Sequence, residues 1–93
     1  MPSQGEKSLE EIREELKRLL VSALALEDIA PEEIADDELL FGEGLGLDSL
    51  DAVEIVVLVQ RNYGLEIADE KQAREIFQSM NTLAGWVHEN LKR

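Results

Sequence analysis

Cysteine is absent from the 93 residues, proline occurs only twice, and aromatic residues make up 4% of the chain. A disulfide framework, a Cys-ligated zinc site and a thiol nucleophile are thereby excluded. Any thiol chemistry has to come from a cofactor. Long apolar runs are missing as well. The longest, Ile55 to Val59, falls far short of the roughly 20 residues a membrane-spanning helix needs. No basic flank, apolar stretch and small-residue cleavage site follow one another near the start, so a cytoplasmic protein with no membrane insertion is expected.

Positive charge is also scarce. Nine Lys and Arg stand against 21 Asp and Glu, a formal net charge of −12. Phosphate backbones and anionic membrane surfaces both require clustered bases, so neither nucleic acid nor membrane is an expected partner. The imbalance is local: residues 1–18 and 61–93 are nearly balanced. Residues 19–60 hold eleven acids (Glu27, Asp28, Glu32, Glu33, Asp36, Asp37, Glu38, Glu43, Asp48, Asp51 and Glu54) and no Lys or Arg. A surface of one sign repels itself. Beyond solubility, its clearest use is to attract basic partner proteins and speed their encounter.

What is present suffices for one small domain. Domains usually run to about 100–200 residues, so a second core has no room. The chain is 44% hydrophobic, yet a domain of this size buries only somewhat over about 60% of its unfolded surface and should be marginally stable. Residues 1–7 read as a tail and residues 8–93 as the domain. Ser8 followed by Glu11 forms a capping-box pattern, and Leu9, Ile12, Leu16, Leu19, Leu20 and Ala23 step along one face, predicting a helix from about Ser8 to Leu26. Glu27 to Asp48 loses that period at Pro31, Gly42, Gly44 and Gly46. Its apolar residues Ile29, Ile34, Leu39, Leu40, Phe41, Leu45 and Leu47 should anchor it, with a short helical turn near Asp36 to Leu40.

Ser49 to Tyr63 is β-branched but long, with acids in its first turn, Arg61 in its last and Gly64 beyond, which predicts a second long helix. Apolar residues wrap most of the way round it, the pattern of a helix central to a bundle. Asp69 to Phe77 reads as a short polar helix carrying Lys71 and Arg74. Thr82 can cap a last helix lined by Leu83, Val87 and Leu91 with Trp86 beside them. The fold class is therefore all-α: a small four-helix bundle with three major helices, one short helix, a long first loop and no sheet.

Gly46-Leu47-Asp48-Ser49-Leu50-Asp51 stands where the glycine-containing loop meets the second long helix. A helix N-terminus favours a phosphate on the serine hydroxyl, and an exposed junction lets another enzyme reach it. Taken alone, Asp48 or Ser49 could equally be a simple N-cap.

The run Leu45-Gly46-Leu47-Asp48-Ser49-Leu50-Asp51-Ala52-Val53-Glu54-Ile55 resembles the prosthetic-group attachment motif of acyl carrier proteins, and the likeness extends over roughly residues 8 to 91. The resemblance implies that Ser49 carries 4′-phosphopantetheine, donated from coenzyme A by a separate Mg²⁺-dependent phosphopantetheinyl transferase. Acyl groups would then be held as thioesters on the arm's thiol. The chain would be a carrier and not an enzyme. Asp48, Leu50, Asp51, Val53 and Glu54 would form the recognition surface for acyl-transferring and chain-modifying enzymes with basic docking patches. Asp51 and Glu54, three apart, share one helical face. Phe41, Leu45, Leu50, Val53, Val57 and Ile76 are candidates to line an acyl cavity. The expected product is a monomeric carrier of fatty-acid-like or polyketide-like synthesis, with a peptidyl carrier or an unmodified acidic adaptor as alternatives. Gln60, Arg61, Ala68, Lys71, Arg74, Trp86 and the Gly42 to Gly46 loop depart from the housekeeping members and resemble specialised stand-alone carriers.

Other signals point nowhere specific. The glycines at 42, 44 and 46 follow no strand and sit among acids, unlike a nucleotide loop. No calcium-loop spacing occurs in the acidic segment, and His88 has neither a second imidazole nor a cysteine to share a metal with. No catalytic or metal residues are therefore assigned.

Overall fold

Four helices pack around one core in the computed structural model, which describes residues 7–26, 28–42 and 44–91. The tail expected at residues 1–7 lies outside these except for Lys7, and so do Glu27 and Glu43 of the acidic block. Helix α1 spans Leu9–Ala23 and opens on the expected box. The Ser8 hydroxyl accepts from the Glu11 amide at 3.1 Å, and the Glu11 carboxylate accepts from the Ser8 amide at 3.0 Å. Its inward face is Ile12, Leu16 and Leu20, all fully buried.

The helix stops three residues before the predicted end. Ala25 takes a left-handed conformation (φ 53°), and the Leu26 amide donates back to the Val21 carbonyl at 3.0 Å. This is a helix-ending motif that usually employs glycine. The alternating Leu24 and Leu26 continued the apolar pattern past a stop that an alanine does not announce.

The acidic connection is anchored largely as its apolar residues suggested. Ile34, Leu40 and Leu47 are buried, and Ile29, Phe41 and Leu45 pack partly against the core, while Leu39 stays exposed. Its short helical turn lies earlier than predicted, at Pro31–Glu33. Pro31 starts the turn with its fixed φ, and the Glu33 carboxylate caps the Ala30 amide at 2.8 Å. Asp36 and Asp37 form only a turn.

Farther on, the connection is fastened to the junction between the last two helices. The Leu40 amide donates to the Gln78 carbonyl at 3.3 Å and the Met80 amide to the Glu38 carbonyl at 2.8 Å. It also closes on itself, with Leu45 N–H donating to the Leu39 carbonyl (2.9 Å) and Leu47 N–H to the Leu40 carbonyl (3.1 Å). Gly44 makes this closure possible, because a Cβ there would fall on the Leu39 carbonyl. The backbone makes two isolated bridges, Leu39 with Ser79 and Phe41 with Leu47, and no sheet among the described residues.

Helix α2 spans Ser49–Tyr63, as predicted, and closes at Gly64 in the left-handed conformation (φ 68°). Helix α3, Glu70–Ile76, is capped by Asp69, whose carboxylate accepts from the Gln72 amide at 2.8 Å. Helix α4 spans Met80–Leu91. It begins earlier than Thr82 because Ser79 precedes it: the Ser79 hydroxyl accepts from the Thr82 amide (3.2 Å) and the Thr82 hydroxyl from the Ser79 amide (2.9 Å). Met80, Leu83, Ala84 and Val87 turn inward, with Trp86 half-buried.

The central pair is α1 against α4, with α2 leaning on both. This corrects the reading of α2 as the central helix. Its inner face is Ile55, Leu58 and Val59, whereas Leu50, Val53 and Val57 form an exposed apolar stripe, 76%, 60% and 42% accessible. The acidic block is also less free of counter-charge than its own sequence implies. Bases from α1 reach Asp36, whose carboxylate lies 2.8 Å from Lys17 Nζ and 3.1 Å from Arg13 Nε. The Arg13 contact is one of charge, since Nε makes no hydrogen bond.

Lys17 is buried, which opposes its charge, but hydrogen bonds to Asp36 and Glu14 outweigh that and raise its pKa. The Lys17 hydrogen bond in turn lowers the pKa of Asp36. A second tie joins α1 to the end of α2, where the Tyr63 hydroxyl donates to Glu15 at 2.6 Å. Burial and this bond push the Tyr63 pKa up. The Glu15 carboxyl, although desolvated, is held below its usual value by hydrogen bonds from Lys7 and Tyr63.

Candidate functional site

The start of α2 is built by two carboxylates that cap each other's backbone. Asp48 Oδ1 accepts from the Leu50 amide at 3.0 Å and the Asp51 amide at 3.1 Å, while Asp51 Oδ2 accepts from the Asp48 amide at 3.0 Å. Gly46, at φ 74°, turns the chain into this box, and Leu47 nails the turn to the core. The box settles the ambiguity left by the sequence: Asp48 is the N-cap, and Ser49, the first residue of the helix, is exposed with its hydroxyl not engaged in the capping bonds.

Ser49 borders a cleft of about 640 Å³. Its walls are apolar: Ala52, Val53 and Val56 come from α2, Phe41, Leu47 and Ile67 from the loops, and Ala73 and Phe77 from α3 and its end. Its polar residues are Asp48 and Ser49 on one element and Asp69, Glu70 and Arg74 on another. An apolar cleft with a few polar groups is the usual form of a small-molecule site. Among the described residues no group of three or more His, Asp or Glu could hold a metal, and no helix is long and apolar enough to cross a membrane.

The predicted residues separate into groups. Phe41 and Val53 line the cleft beside Ser49. Leu45 packs against the core, and Ile76 is part of it. Val57 lines a separate, shallower recess of about 470 Å³ between α1 and α2, together with Val53, Glu54 and Arg61. Leu50 stands out in solvent. Of the acids, Asp48 and Glu54 are exposed, whereas Asp51 is half-buried and uses one oxygen in the capping box. Leu47, Ala52, Val56, Ile67, Ala73 and Phe77 were not anticipated as lining. They come from four chain segments, so no local pattern unites them. Only the position of Ala52 and Val56 on the same face as Ser49 could have hinted at two of them.

The residues present fit a phosphate-linked arm. An exposed primary hydroxyl at a helix start is open to a transferase, and the adjoining apolar cleft is open to whatever the arm bears.

The family model described as the phosphopantetheine attachment site matches residues 12–88. Among curated relatives, the acyl carrier protein of Bradyrhizobium sp. (strain ORS 278) is 33% identical over 84 residues, covering 90% of this chain and 99% of that protein. The acyl carrier proteins of Nitrobacter hamburgensis and of Rhodopseudomonas palustris (strain TIE-1) match with the same identity and coverage.

Proposed function

Since the chain belongs to the acyl carrier proteins, we propose that Ser49 bears the 4′-phosphopantetheine arm of that family and that residues 8–93 form the carrier domain. Acyl carrier proteins are carriers and not catalysts, and they work with phosphopantetheinyl transferases and acyl-transferring enzymes. When bound, the arm supplies the thiol that this cysteine-free chain lacks. The observation that carries the assignment to Ser49 is its exposed place at the start of α2, beside an apolar cleft and clear of the capping bonds.

The chain's own residues then have distinct tasks. Asp48 and Asp51 fix the helix start and so fix where Ser49 points. Glu54, with Asp48 and the free oxygen of Asp51, offers negative charge to basic docking patches. Leu50 and Val53 provide the apolar contact between these acids. Modest apolar burial with charge steering suits a carrier that must bind and release several enzymes. Phe41 and Val53 belong to the cleft that would shelter an acyl chain from water. The full reading is a cytoplasmic, monomeric carrier of fatty-acid-like or polyketide-like intermediates.

The test is an intact-mass comparison of wild type and Ser49→Ala after incubation with coenzyme A, Mg²⁺ and a broad-specificity transferase. A gain of one phosphopantetheine on the wild type alone is expected. A gain on both proteins would move the attachment elsewhere. None on either, with a known carrier modified alongside, would favour an unmodified adaptor.

A further inference from the structure

The sequence leaves Arg74 on the short third helix without a task, and the structure makes it a lining residue of the same cleft as Ser49. We infer that the Arg74 guanidinium pairs with the phosphodiester formed at Ser49 and so anchors the base of the arm against α3. This rests on the reading that Ser49 carries the arm.

Three observations support the pairing. First, most of the backbone donors that a helix start ordinarily offers an anion are already occupied, leaving the Ser49 amide. The amides of Leu50 and Asp51 donate to Asp48, and that of Asp48 donates to Asp51. A phosphate on Ser49 therefore has to find much of its counter-charge elsewhere, beside two carboxylates that repel it.

Second, few cations are at hand. Residues 19–60 hold no Lys or Arg. Of the charged residues lining the cleft, Asp48, Asp69 and Glu70 are acidic and Arg74 alone is basic. Arg61 lines the other recess.

Third, Arg74 is available. Its partner is Glu70, one turn back on α3, with Nη2 to Oε1 at 3.3 Å and the two side chains 77% and 83% accessible. Exposed pairs of this kind hold weakly. A phosphodiester, with one negative charge shared over two non-bridging oxygens, can take the planar guanidinium fork bidentately, whereas Glu70 makes one long contact.

The test uses ¹⁵N-labelled full-length protein, with conversion to the modified form driven to completion and verified by intact mass. On modification, the Arg74 Nε–Hε signal, identified by its loss in Arg74→Gln, should shift, and 0.5 M NaCl should move it back toward its position in the unmodified protein. The ³¹P resonance of the modified wild type should differ from that of modified Arg74→Gln, with Arg74→Lys between them and Arg61→Gln matching wild type. Thermal melts of unmodified Arg74→Gln should match wild type, since the side chain is exposed. A confirmed arm with an unmoved Arg74 signal and identical ³¹P resonances overturns the pairing and leaves Ser49 as the attachment residue. Absence of any mass gain overturns the Ser49 reading and this inference with it.

Discussion

Replacing Asp48 separates two things that one side chain does at the start of α2. Asp48→Ala removes the acceptor for the Leu50 and Asp51 amides but keeps the Asp48 amide bonded to Asp51. Both capping bonds lie at the surface, with Leu50 exposed and Asp51 partly so, so water takes up the freed donors and the full penalty of buried, unpaired amides does not apply. The loss should be that of an N-cap, about 1 kcal/mol. For a domain of this size that lowers Tm by roughly 4–8 °C. Asp48→Asn keeps a capping oxygen and loses only the attraction of a charge for the helix dipole, about 0.3–1 kcal/mol at low salt.

Thermal melts by circular dichroism at low salt and at 0.5 M NaCl distinguish the two variants. Asp48→Asn should recover almost to wild type at high salt, while Asp48→Ala should remain low. Modification at Ser49 should be slower in Asp48→Ala, because the helix start that orients the hydroxyl frays. Equal destabilisation of the two variants at high salt would refute the capping role. So would an Asp48→Ala protein with wild-type Tm.

Three other perturbations follow from the same geometry. Ala25→Gly relieves a left-handed alanine at the end of α1 and should raise Tm by several degrees, since that conformation costs roughly 1–2 kcal/mol for a residue with a Cβ and glycine's extra unfolded-state entropy offsets part of it. A lower Tm would show that the α1 stop is held differently. Asp36 is held below its free pKa by Lys17, so in the folded state it releases its proton more readily than in the unfolded chain. Its stabilisation is therefore present above about pH 4 and lost as pH falls through the folded value. The Tm advantage of wild type over Asp36→Asn should be seen at pH 7 and close below pH 4, and a constant gap would contradict the pairing. Glu54→Lys should slow transferase modification roughly tenfold at low salt, and less at high salt, with Tm unchanged. Unchanged rates at low salt would remove Glu54 from the docking surface.

Much of this molecule was legible because its strongest signals are local. Helix α2 begins and ends where the sequence puts it because its signals, the acids of the first turn and Gly64, lie within a turn of the boundary. The end of α1 was not legible, since Ala25 adopts a conformation that favours glycine and sends no sequence signal. Ser79 and Thr82 can each cap a helix, so the start of α4 is ambiguous in sequence, and only their reciprocal bonds show which comes first.

The cleft and the Asp36 cluster required the fold. Phe41, Ile67 and Phe77, far apart in the chain, line one cleft only in the folded protein. Arg13 and Lys17 reach Asp36 across 23 and 19 positions of chain. The exposed stripe of Leu50, Val53 and Val57 shows how an apolar pattern can mislead. Side chains whose spacing predicts a central α2 instead face solvent, beside the acids offered to partners.

The most direct measurement is to locate the arm by fragmenting the modified wild-type protein in a tandem mass spectrometer. The chain contains five serines, at positions 3, 8, 22, 49 and 79, so the adduct can be assigned among clear alternatives. The expected result is a single phosphopantetheine on Ser49. An adduct on Ser3, Ser8, Ser22 or Ser79, with Ser49 unmodified, would contradict the account.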